Sequence, residues 1–92
     1  MANAIATIKI MPESPDVDLH KIEKEALKII LDFAGKGDTR TEIKPVAFGL
    51  KSLNITFIMD EALGTPDRIE EQLAAIEGVN SVETTDVRRA VG

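Results

Sequence analysis

Residues 4–11 alternate, with Ala4, Ala6, Ile8 and Ile10 set against Ile5, Thr7, Lys9 and Met11. A period of two predicts a strand with one face more apolar than the other. Pro12 and Pro15 then stop it, each restricting the residue before it as well. Asp16 and Asp18 follow, and either can cap a helix by accepting a hydrogen bond from a free backbone N–H. From Leu19 the spacing widens to Leu19, Ile22, Ala26, Ile29 and Phe33, a helical stripe with Lys21, Glu23, Lys24, Glu25 and Lys28 outside it. Gly35 and Gly37 end that helix, and residues 34–40 read as a polar loop.

A second strand is predicted over 41–48. Pro45 within it has no N–H for a central ladder, which places the strand at a sheet edge. Gly49 belongs to a tight hairpin. Beyond it Leu53, Ile55, Phe57 and Met59 alternate with Ser52, Asn54, Thr56 and Ile58, the clearest strand in the chain. Gly64-Thr65-Pro66-Asp67 reads as a helix start: Thr65 as cap, proline at the first helical position, an acid at the positive dipole end. Ile69, Leu73 and Ile76 form its buried stripe and Gly78 its stop. Residues 79–91 form the last extended segment, bulged near Asp86. The order is β-α-β-β-α-β. With short connections and right-handed crossovers it folds as a ferredoxin-like α+β domain over 1–92, a four-stranded antiparallel sheet with both helices on one face.

Composition then narrows the chemistry. Of 92 residues, 43% are apolar and 29% charged, so one modest core is affordable. There is no cysteine and a single histidine, His20, which rules out thiolate metal sites, cysteine nucleophiles and a multi-histidine centre within this chain. The net charge of −5 and three phenylalanines as the only aromatics argue against a direct nucleic-acid partner. No apolar run approaches the ~20 residues of a membrane span. The first residues lack the basic, long-apolar character of a secretory signal, so the expected location is cytoplasmic and no membrane partner is expected.

His20 falls in the first turn of a helix, where the expectation is a solvated side chain, and nothing nearby in sequence makes it a catalytic base. The acids Asp16, Asp18, Glu23, Glu25, Asp60, Glu61, Glu70 and Glu71 lack EF-hand spacing and read as caps and outer-face charges. Gly35-Lys36-Gly37 is no phosphate loop, because no helix start follows it. No glycine-rich cradle holds an arginine as acyl-phosphate hydrolysis would need. Ser14, Ser52 and Ser81 have no histidine placed to activate them. The expectation is a non-enzyme with no cofactor and no metal. Two places remain. Phe48, in Ala47-Phe48-Gly49-Leu50, puts a ring at or beside a tight turn, where it either folds back on the core or anchors a partner; spacing alone favours the core. The run Thr84-Thr85-Asp86-Val87-Arg88-Arg89-Ala90-Val91-Gly92 carries paired arginines in an acidic chain, otherwise read as an edge-strand solubility device.

Ala6-Thr7-Ile8-Lys9-Ile10-Met11-Pro12-Glu13-Ser14-Pro15-Asp16-Val17-Asp18-Leu19 resembles the opening of the archaeal elongation factor 1-beta family. So do Val46-Ala47-Phe48-Gly49-Leu50 with Leu53-Asn54, and Glu77-Gly78-Val79 followed by Thr85-Asp86-Val87-Arg88-Arg89. The likeness runs along the whole chain in order. It implies guanine-nucleotide exchange on elongation factor 1-alpha, the GTPase that carries aminoacyl-tRNA; the expected oligomeric state is a monomer. It also turns Phe48 from a core residue into a partner anchor. The partner contacts it implies are Phe48, Gly49, Asp86, Arg88, Arg89, Val91 and Gly92, with the C-terminal end approaching a magnesium site. Eukaryotic members end with a penultimate lysine near that magnesium. Here Gly92 stands at the nearest place and Arg88 and Arg89 are the nearest cations, so lysine insertion does not transfer to this chain. Two rivals of another class stand beside this reading: a small-molecule-sensing module, which predicts a ligand-stabilised dimer, and a docking module using the open sheet face of Ile5, Thr7, Asn54, Thr56 and Ile58.

Overall fold

A computed structural model describes residues 3–35, 37–64 and 66–89. Its strands are β1 (Asn3–Pro12), β2 (Thr39–Pro45), β3 (Lys51–Asp60) and β4 (Val79–Arg89); its helices are α1 (Leu19–Ala34) and α2 (Asp67–Ala74). The order is the anticipated β-α-β-β-α-β, and the strands form one antiparallel sheet in the spatial order β2-β3-β1-β4. The ferredoxin-like α+β architecture follows, with β2 at an edge as Pro45 required.

The core is the alternating pattern made solid. Ala4, Ala6, Ile8 and Ile10 of β1 lie beside Leu53, Ile55, Phe57 and Met59 of β3, all essentially closed to solvent. The register explains why these eight share a face: Ile10 is opposite Leu53, Ile8 opposite Ile55, Ala6 opposite Phe57 and Ala4 opposite Met59, and opposed residues of an antiparallel pair project to the same side. Ile22, Ala26 and Ile30 of α1 and Ile69, Leu73 and Ile76 at α2 close over them, with α1 against β3 and α2 against β4. On the other face Ile5, Thr7, Asn54, Thr56 and Ile58 remain half-buried by one another, with the Thr7 and Thr56 hydroxyls 3.1 Å apart.

Several boundaries differ from expectation. After Ile22 and Ala26 the next fully buried α1 residue is Ile30, while the expected Ile29 is half-buried, because the stripe drifts around a 16-residue helix. Asp18 is the cap, accepting from His20 N at 3.0 Å. β2 runs over 39–45 rather than 41–48: Pro45 ends the ladder, and Ala47–Gly49 instead form a 3-10 turn. In α2, Pro66 occupies the capping position rather than the first helical one, its carbonyl receiving Ile69 N and Glu70 N; the expected cap, Thr65, lies outside the described residues. The helix stops at Ala74, and Gly78 serves the turn into β4 at φ +92°. The bulge near Asp86 is present: Thr7 faces Asp86 while Ile8 faces Thr84, leaving Thr85 as the extra residue. Among the described residues no helix is long and apolar enough to cross a membrane.

Candidate functional site

The β2–β3 hairpin is closed by Val46 N donating to Leu50 O at 2.8 Å and Leu50 N donating to Ala47 O at 3.3 Å. That short closure forces two successive residues into the left-handed region, Phe48 at φ 63°, ψ 30° and Gly49 at φ 75°. Gly49 adopts it without penalty. A phenylalanine pays roughly 1–2 kcal/mol there, because its Cβ crowds the following carbonyl. Phe48 is the one described non-glycine residue with positive φ, and its ring is 94% exposed. The core reading that spacing favoured is therefore overturned: the ring touches nothing that would hold it in. A strained backbone presenting a bare aromatic ring points toward a partner.

Asp86, Arg88 and Arg89 lie toward the other end of the sheet. β1 and β4 run antiparallel, so Val79 sits beside Pro12, on the hairpin side, and Arg89 beside Ala4. β3 runs from Lys51 near Pro12 to Asp60 opposite Asn3. The two arginines do not form one basic patch. Arg88 is opposite Ile5 and shares the open face; Arg89 is opposite Ala4 and shares the helix-covered face. Each already has a carboxylate. Arg88 Nε donates to Asp86 Oδ2 at 2.8 Å, and Arg89 Nε to Glu61 Oε1 at 2.7 Å. The Glu61 hydrogen bond and charge raise the Arg89 guanidinium above its ordinary value. Val91 and Gly92 lie outside the described residues.

Glu61 was not legible as a partner of Arg89, for the two are far apart in sequence and come together only because β3 and β4 flank β1. His20 is a solvated side chain, 82% exposed and 3.7 Å from Glu23. Among the described residues no cluster of three or more His, Asp or Glu side chains is gathered as metal ligands. The open face keeps a polar stitch, Asn54 Nδ2 donating to the Ser52 hydroxyl at 2.9 Å.

The fold is shared by the de novo designed protein Foldit4, at a TM-score of 0.66 and 16% identity over 98% of each chain. Sequence relatives say more. Elongation factor 1-beta of Methanothermobacter thermautotrophicus is 45% identical over 89 residues, 97% of this chain and 98% of the relative. Elongation factor 1-beta of Methanococcoides burtonii is 41% identical over 91 residues, 99% of this chain and 100% of the relative. Residues 5–90 match the EF-1 guanine nucleotide exchange domain, a span that takes in the strained hairpin tip and both arginines: the chain belongs to the elongation factor 1-beta family of guanine-nucleotide exchange domains.

Proposed function

We propose that this chain, acting as one domain over 1–92 and as a cytoplasmic monomer, promotes exchange of GDP for GTP on elongation factor 1-alpha. The observation that carries the reading is Phe48, a 94% exposed ring on a left-handed backbone at the hairpin tip. Anchored there, the rigid sheet carries its far end to a second contact made by Asp86, Arg88, Arg89, Val91 and Gly92. No covalent bond is made or broken. The exchanger acts by holding the nucleotide-free GTPase more tightly than the loaded one, and linkage then weakens GDP binding by the same factor. Incoming GTP reverses the preference and displaces it.

The ion pairs of Arg88 and Arg89 fit this role. Exposed pairs hold their partners weakly, so the Arg88 guanidinium can trade the Asp86 carboxylate for one on the GTPase at small cost, while Arg89, bonded to Glu61 through Nε, keeps its forked end open. The arginine head is forked and planar, which suits carboxylate or phosphate oxygens rather than copying a lysine point charge. Release of fluorescent GDP from elongation factor 1-alpha tests the proposal. Addition of this protein accelerates release strongly, and deletion of residues 88–92 removes most of the acceleration. Equal affinity for the GDP-bound and nucleotide-free GTPase would overturn it.

A further inference from the structure

Glu61 is the first residue beyond β3, and it is held there by its own turn. Asp60 Oδ1 accepts from Ala62 N at 2.9 Å, and Gly64 N donates back to Glu61 O at 3.0 Å. The residues that end β3 and β4 lie on either side of the start of β1, Asp60 opposite Asn3 and Arg89 opposite Ala4. From its fixed turn the Glu61 carboxylate spans that gap to Arg89 Nε at 2.7 Å. We propose that Glu61 is a positioning residue for nucleotide exchange: it holds the Arg89 side chain at the end of β4, and so fixes how that guanidinium is offered to the GTPase. The inference rests on the exchange reading above.

Three features separate this pair from ordinary surface charge. Arg88 pairs with Asp86 on its own strand, two residues away, and that contact ties β4 to nothing else. The Glu61 pair instead links β4 to the exit of β3, 28 residues away in sequence. It also has a companion: the Thr84 hydroxyl donates to Glu70 of α2, so the second half of β4 is tied from beneath at two places, on either side of the Thr85 bulge that would otherwise loosen it. Finally, the bond uses Nε, while 73% of the Arg89 side chain stays open to solvent. An arginine held by Nε keeps its forked end for another acceptor.

The test is a double-mutant cycle between Glu61→Ala and Arg89→Ala, read as GDP release against exchanger concentration. Glu61→Ala lowers the maximal rate about three- to tenfold, the span of a one-kilocalorie effect on placement. The half-saturating concentration stays within about twofold, because the Phe48 anchor is untouched, and the melting temperature barely moves, as exposed pairs add little to stability. Glu61→Gln, which keeps an acceptor for the Nε hydrogen bond, recovers part of the rate. In the Arg89→Ala chain Glu61→Ala adds no further loss. A full rate for Glu61→Ala beside a slow Arg89→Ala chain overturns this proposal alone. So does an equal loss in both backgrounds. An Arg89→Ala chain as fast as the intact one overturns the role of Arg89 and this inference together, while failure of the unaltered protein to accelerate release overturns the exchange reading itself.

Discussion

Phe48 allows folding and binding to be set against each other at one residue. In Phe48→Ala the ring disappears while the backbone must still hold φ 63°, so nothing in the folded domain changes except exposed surface. With 94% of the residue already in solvent, stability stays within about 0.5 kcal/mol. Phe48→Asn goes further, since asparagine tolerates the left-handed region far better. Relief of about 1 kcal/mol of strain raises the melting temperature by roughly 4–8 °C in a domain of this size. Binding moves the opposite way. If the ring is covered by the GTPase, truncation to alanine forfeits about 100 Å² of apolar burial, roughly 2.5 kcal/mol at 25 cal/mol per Å², or about 70-fold in Kd. Thermal unfolding gives the first quantity and titration of the nucleotide-free GTPase, with GDP release alongside, gives the second. A variant that melts many degrees lower, or binds with unchanged affinity, refutes the account of this residue.

Two further substitutions probe the scaffold. A Cβ on Gly78 would meet Val17 Cγ1 at 2.9 Å in a backbone at φ +92°, so Gly78→Ala costs about 2–3 kcal/mol in denaturant unfolding; adding Val17→Ala relieves the contact but leaves the backbone part of the loss. Asp18→Ala removes the acceptor for His20 N and costs about 1 kcal/mol, whereas Asp18→Asn, another good capping residue, retains most of it by the same measurement.

The sheet was legible because its signal is local and repeated. β1 and β3 alternate without a break, and the residues assigned to their inner faces are the ones buried. Pro45 located an edge from a single missing N–H. Phe48 was misread by spacing because a residue count cannot show that a three-residue closure leaves the ring no route back to the core; a bulky residue followed by glycine at a hairpin was the available signal, and only resemblance gave it weight. Gly78 was taken for a helix stop because a glycine after an apolar stripe serves a helix end and a strand-entry turn alike. Glu61 had no signal, since its partner is fixed by strand order rather than by any spacing.

The strands also set a length. β1 has ten residues, about 33 Å at roughly 3.3 Å per residue, along a molecule whose longest dimension is 42 Å. If the proposed contacts are made at the hairpin tip beyond one end of the sheet and at Arg89 at the other, the domain is a caliper whose jaws cannot be adjusted, since a hydrogen-bonded sheet does not stretch. A client that alters the gap between its own two gripping points as it empties would be gauged by that fixed opening, and evolution could retune the gauge only by adding or removing residue pairs in step along neighbouring strands.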